Sequence, residues 1–254
     1  MLRTPVILVN FKTYEEASGE AALELSRLCE RVSLDTHASI VVAPPTMDLA
    51  RVASCVKIPV FAQHLDAVPS GSTTGRITVE NAKLSGAEGT LVNHSERRLK
   101  IAEIHEVIDR CRRIGLISVA CTNNLAVSKA CAAMEPDFVA IEPPELIGGE
   151  VSVTNANPKI VSDTVDAIRN VSGKVRVLCG AGIRNGRDVA KAIDLGTDGV
   201  LLEQRPEPEL WSSIRTGGTG SWRRRTRLQS NSMLQRSDSF RCSHTRAKRT
   251  VEWR

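Results

Sequence analysis

The sequence predicts an α/β protein and, within that class, a closed barrel of eight parallel strands alternating with helices. Three observations carry this. Short apolar runs recur eight times up to Leu202, at 6–9, 40–43, 60–62, 90–92, 117–120, 138–141, 175–178 and 199–202. Their apolar residues are mostly consecutive rather than alternating, with Ser118 and Arg176 as interruptions, the mark of strands buried on both faces. Helical patterns separate many of them, which implies parallel βαβ units. Eight units in about 200 residues suit a closed barrel at the compact end of its size range. The competitor is an open doubly wound sheet, disfavoured in its dinucleotide-binding form because no Gly-x-Gly-x-x-Gly follows the first run.

In chain order, residues 16–31 place Ala21, Ala22, Leu25 and Leu28 on one face, opposite the glutamates, as an amphipathic helix requires. Residues 103–114, 125–134, 157–171 and 185–195 read the same way. Asn157-Pro158 has the form of an N-cap followed by proline at the first helical position. After the sixth run stands a single carboxylate, Glu142. Pro143 and Pro144 stiffen the exit, while Gly148-Gly149 loosen the far end of the loop. A carboxylate beside a stiff-then-flexible loop fits a general base under a lid; a solvated strand-end glutamate is the plainer alternative.

The charge is uneven. The chain carries +5 in total, but residues 203–254 hold 12 Lys/Arg against 5 Asp/Glu, and the first 202 residues are net −2. All three tryptophans fall in the basic segment. Two regions are therefore expected: a catalytic barrel over 1–202 and a basic, poorly ordered tail over 203–254. No apolar run approaches the ~20 residues of a membrane span, and the amino terminus lacks signal-peptide features, so a soluble cytoplasmic protein is expected. Seven scattered cysteines without a Cys-x-x-Cys pair argue for buried thiols rather than zinc or a disulfide framework. Cys121 and Cys179 close strand runs and lie near a site or, more plainly, in the core.

In a barrel, function gathers at the carboxyl ends of the strands. Those ends hold Asn10 and Lys12, Gln63 and His64, Asn93, His94 and Glu96, Cys121, Glu142, and Gly180-Ala181-Gly182. A base, a cation, an imidazole and glycine turns thus converge on one face.

These residues occur within longer stretches. VNFKTYEEASG stands at 9–19, VVAPPTMDL at 41–49, VFAQHLD at 60–66, GTLVNHSERR at 89–98, FVAIEPPELIGG at 138–149 and VLCGAGIRNGRDVAKAIDLGTDGVLL at 177–202. In this order they resemble the triosephosphate isomerase family, specifically its short archaeal form, over residues 5–202. The resemblance implies a TIM barrel that interconverts dihydroxyacetone phosphate and glyceraldehyde 3-phosphate without metal or organic cofactor. Carried over, Glu142 is the base, His94 the electrophile and Lys12 the electrostatic partner of the enediolate. A glutamate base paired with a neutral histidine is that family's known arrangement. Asn10 positions substrate, while Glu96 and Cys121 are supporting residues. Backbone N–H groups of Ile147 and Gly148 in the lid, and of Gly180 and Gly182, hold the phosphate. The loop 69–76 is implied to enter a neighbouring subunit, making Thr74 and Gly75 interface candidates of a homo-oligomer, dimer or tetramer. Triose phosphates are the expected partners; a membrane or nucleic acid is not.

The resemblance stops after Leu202. Where the family has a small-residue turn and a last amphipathic helix, this chain has Glu203-Gln204-Arg205 and a segment rich in Arg, Ser and Thr. No normal eighth helix is expected. A displaced reading frame, a natural basic extension and an RNA-binding tail built on 223–227 and the tryptophans all remain open. A carboxylate at position 203, beside a phosphate dianion, and uncovered apolar surface on the barrel imply impaired turnover and stability. A non-catalytic phosphate-ligand or RNA-binding protein is the alternative function.

Overall fold

The computed structural model describes residues 2–143, 158–180, 183 and 185–203. Among these residues seven βα units and a further strand follow one another. They are β1 (Val6–Asn10), α1 (Glu20–Thr36), β2 (Ser39–Ala43), α2 (Leu49–Cys55), β3 (Phe61–Ala62), α3 (Val79–Leu84), β4 (Gly89–Val92) and α4 (Ile101–Ile114). Then come β5 (Ile117–Thr122), α5 (Leu125–Ala132), β6 (Phe138–Ile141), α6 (Pro158–Val171), β7 (Arg176–Cys179), α7 (Gly186–Asp194) and β8 (Gly199–Glu203).

All ladders are parallel and run in the order β2-β1-β8-β7-β6-β5-β4-β3. A single bridge, Val42 to Val60, joins the two outer strands, so the sheet closes on itself by its narrowest seam there. The β1–β8 seam is wider, pairing five residues from Val6↔Gly199 to Asn10↔Glu203. Gly199 makes that seam possible. Its φ is +151°, and a Cβ there would lie 2.1 Å from the Val6 carbonyl oxygen.

Strand alternation separates two cores. One, of strand residues alone, fills the barrel: Leu8, Val41, Leu91, Val119, Leu178 and Leu201 are among its members. The other joins the outward strand residues to the helices, as Ile7, Val9 and Ile40 pack with Leu25, Cys29 and Val32 of α1. Helix starts follow local chemistry. The Asn124 side chain accepts from the Val127 N–H at 2.9 Å, and Asn185 caps the Arg187 and Asp188 N–H groups at 2.9 and 3.1 Å. At α4 the Glu103 carboxylate reaches back to the Lys100 N–H at 2.8 Å.

The expected strands are present, β6 with the same bounds and the others with one or both ends shifted by one or two residues. The short helices α2 and α3 were not expected, being only seven and six residues long, too short for a periodic apolar pattern. Helix α1 starts four residues later than the pattern suggested and runs on to Thr36. The Asn157 cap, the lid residues Ile147 and Gly148, Gly182, and the chain from Gln204 onward lie outside the described residues, as does the expectation about an eighth helix.

Candidate active site

The site is built at the carboxyl end of the barrel, where the chain must turn out of each strand. Leaving β1, it passes through Asn10 and turns at Lys12 in the left-handed region, with φ +50°. Such a backbone costs a residue with a Cβ about 1–2 kcal/mol, so something must hold it. Three ties do. The Lys12 N–H donates to Asn10 Oδ1 at 3.0 Å, the Lys12 carbonyl accepts from Gln63 Nε2 at 2.8 Å, and Lys12 Nζ donates to Glu96 Oε1 at 2.8 Å. The Lys12 side chain is 10% exposed and that of Glu96 58%, so the pair spans the rim between site and solvent.

After β4 the chain again turns left-handed, at Asn93 with φ +61°. Asparagine tolerates this conformation, and its side chain exploits it. Asn93 Nδ2 donates to the Cys121 carbonyl at 2.9 Å, its Oδ1 accepts from the Leu99 N–H at 2.9 Å, and its carbonyl accepts from Arg98 at 2.8 Å. The loop bearing His94 is thereby tied to β5.

His94 is 5% exposed. Its Nδ1 accepts from the Glu96 N–H at 3.3 Å. An accepting Nδ1 carries no proton, so this bond assigns the proton to Nε2 and makes the ring neutral. Nε2 lies 3.3 Å from Glu142 Oε1 and 3.5 Å from Asn10 Nδ2.

Glu142 follows β6 and is 1% exposed. Its own N–H donates to the Thr122 carbonyl at 2.7 Å. Its Oε2 is buried without a hydrogen-bond partner among the described residues, a situation that costs on the order of 1–3 kcal/mol. Space for this side chain comes from Gly180: a Cβ there would lie 2.8 Å from Glu142 Cγ and 3.1 Å from the Ile141 carbonyl oxygen. Beneath it stands Cys121, whose thiol is pushed well above its ordinary range, first by burial and then by the Glu142 carboxylate. It stays a protonated neighbour rather than a nucleophile.

A cavity of about 480 Å³ opens against Asn10, Lys12 and His94. Gln63, Thr74 and Gly75 also line it. Glu142 Oε1 lies 3.3 Å from Nε2 of His94, which is part of that wall. Asn10, Lys12, His94, Glu96, Cys121 and Glu142 are thus brought together from β1, β4, β5 and β6.

The chain is similar to known proteins. The family description "Triosephosphate isomerase" matches residues 5–204 of the chain. The triosephosphate isomerase of Methanothermus fervidus is 52% identical over 198 residues, spanning 78% of this chain and 89% of its own. That of Methanothermobacter thermautotrophicus is 51% identical over 199 residues, with 78% and 87% spanned. That of Methanocaldococcus jannaschii is 48% identical over 197 residues, with 78% and 90% spanned. The chain belongs to the triosephosphate isomerase family.

Within that family frame, several contributions escaped sequence reasoning. Gln63 stood among the strand-end residues but nothing in its identity announced that its amide bridges Lys12 and Ala43. Gly180 was expected to offer a backbone N–H to phosphate; its N–H instead donates to the Ile141 carbonyl at 2.9 Å, and its missing side chain makes room for Glu142. In this structure the parallel pairing of β6 with β7 uses that N–H. Cys179, grouped with Cys121 by sequence, belongs to the outer core, because the two occupy opposite faces of their strands.

Proposed function

We propose that the chain interconverts dihydroxyacetone phosphate and glyceraldehyde 3-phosphate, with Glu142 as base, neutral His94 as electrophile and Lys12 as the cation that meets the enediolate. The observation that carries this reading is the 3.3 Å approach of His94 Nε2 to Glu142 Oε1, with Nδ1 occupied by the Glu96 N–H. A base and a neutral N–H donor then act on adjacent atoms of one small substrate.

The proton next to a carbonyl is weakly acidic, so its removal requires donors already aimed at the oxygen that gains charge. Glu142 takes that proton from one carbon. The enediolate oxygen is met by the His94 Nε2–H and by Lys12 Nζ. Glu142 returns the proton to the neighbouring carbon, and the hydroxyl proton passes between the two oxygens by way of Nε2. Charge and protons balance without a redox partner. Asn10, its Oδ1 fixed by the Lys12 N–H, lines the cavity and positions substrate, and Glu96 anchors Lys12. Phosphate-holding N–H groups at Ile147, Gly148 and Gly182 belong to this reading. So do a cytoplasmic location and a homo-oligomer assembled through the loop carrying Thr74 and Gly75. No helix among the described residues is long and apolar enough to cross a membrane.

The division into a barrel over 1–202 and a basic tail over 203–254 also stands as a proposal, and it bears on rate. Glu203, the last residue of β8, and Gln204 stand in the sequence where the family places small residues, so turnover below ordinary family rates is expected. The test is isomerase assay of the purified chain beside Glu142→Gln. Loss of about 10³-fold in kcat with unchanged Tm is expected for the variant. Equal turnover by both proteins would overturn the assignment of the base.

A further inference from the structure

The left-handed turn at Lys12 takes its carbonyl out of the β1–β2 ladder, whose last pair is Asn10↔Ala43. Beyond that point the sheet offers no partner to the Lys12 carbonyl. The partner comes from a third strand. Gln63, one residue past β3, donates through Nε2 to the Lys12 carbonyl at 2.8 Å and to the Ala43 carbonyl at 2.9 Å. An amide nitrogen has two protons, and both are used here on two carbonyls from two different strand ends. The Ala43 carbonyl already accepts from the Phe11 N–H at 3.0 Å, so the amide closes a small network around the chain segment between Asn10 and Lys12.

We propose that Gln63 is a positioning residue for the reaction, holding Lys12 in the left-handed conformation that presents its ammonium group to the cavity. The kinetic part of this inference rests on the isomerase reading above. Lys12 lacks the local features that make this backbone easy: it has a Cβ, and its side chain is too long to bond back to its own turn. The tie at its N–H, from Asn10, fixes only one side of the residue. The tie at Nζ, to Glu96, acts four carbons from the backbone and follows wherever the side chain points. Among the described residues the Gln63 bond holds the peptide plane after Lys12, and the orientation of that plane decides ψ and hence the turn.

A simpler role competes. Gln63 also spans the β2–β3 seam, which is closed by the single Val42–Val60 bridge. As a mere staple there, it would support the barrel without any link to Lys12. The two roles differ in what they couple to. A staple lowers Tm and acts on kinetics in the same way whatever stands at position 12. A positioning residue acts through Lys12 and loses its effect when the ammonium group is removed.

The experiment is a double-mutant cycle on the full chain with crystal structures of the variants. Gln63→Glu keeps the shape but turns two donors into acceptors facing carbonyls. Gln63→Met keeps the length without polarity and serves where the first variant fails to fold. In the native background kcat/KM is expected to fall about 10²-fold, the scale of a misplaced catalytic group. In a Lys12→Met background the same change is expected to alter the residual rate by a factor of about 1. The crystal structures are expected to show Lys12 leaving positive φ and its Nζ leaving Glu96. Equal losses in both backgrounds, or Lys12 still left-handed on Glu96 in either variant, would overturn the proposal. Absence of turnover in the native chain would sink the isomerase reading alone, since the backbone of Lys12 in the variants decides the positioning role independently.

Discussion

At the amino-terminal end of the barrel the Arg176 guanidinium lies 4.3 Å over the ring of Phe138 and donates to the Leu2 carbonyl at 2.9 Å. At the carboxyl end Glu142, equally enclosed by strands, keeps one carboxylate oxygen without a partner among the described residues. The same strands make both ends. Below, burial lowers the Arg176 pKa while the nearby Asp137 and Asp198 oppose that shift. The carboxylates of those two residues are themselves tied to the Ser118 N–H at 2.9 Å and the Val177 N–H at 3.0 Å. Large rings, Phe61 and Phe138, fill the interior, with Arg176 over the latter. Above, Ala43, Cys121 and Ala140 line it, and Lys12 and Asn93 sit in left-handed turns. Bulk and paired charge are found where the barrel only has to stay closed. Small strand-end side chains collect where chemistry is proposed. Left-handed residues, by contrast, occur at both ends, His37 and Glu135 below and Lys12 and Asn93 above. So do buried oxygens without a partner among the described residues, Thr197 Oγ1 below and Glu142 Oε2 above.

Two glycine substitutions test this contrast most severely. Gly199→Ala puts a Cβ 2.1 Å from the Val6 carbonyl oxygen at a φ of +151°. It is expected to open the β1–β8 seam and lower stability by about 3 kcal/mol or more, measured by denaturant unfolding. Gly180→Ala meets Glu142 Cγ at 2.8 Å. It is expected to displace the base and reduce kcat about 10²-fold with a smaller change in Tm. If both variants lose stability alike and neither changes rate selectively, the division between ends is wrong.

Arg176→Met is the next probe. It removes the guanidinium from Phe138, Asp137 and Asp198, with an expected loss of about 1–3 kcal/mol of stability and kcat unchanged. A drop in kcat without a drop in Tm would show that the lower end influences the chemistry.

The smallest effect is a pH slope at the rim. Burial lowers the His64 pKa below 6.5, against the pull of Asp66 and Glu103 and with a further push from Arg97. Its folded pKa is depressed, so as pH falls below about 6.5 the unfolded chain binds this proton first and stability declines. His64→Asn is expected to flatten the dependence of Tm on pH between about 6.5 and 5; an unchanged slope would remove His64 from that account.

Much of the architecture was legible because buried parallel strands must be apolar on both faces, and runs such as 6–9 and 138–141 satisfy this on their own. Helix α2 was not legible, since seven residues offer too few turns for a face to show. At the site, Lys12, His94 and Glu142 stood out as ionisable residues at the ends of apolar runs, where a parallel barrel exposes side chains on one rim.

What the sequence alone determined is the succession of strands and helices and the chemical types available at each strand end. The tertiary structure decided which of those residues act on one another. The neutral form of His94 depends on a backbone N–H from Glu96, two residues away. The turn at Lys12 depends on an amide 51 residues later, and the place of Glu142 depends on the missing side chain of Gly180. Hydrogen bonding and excluded volume act between atoms close in space, and chain order specifies that closeness only after the barrel has shut.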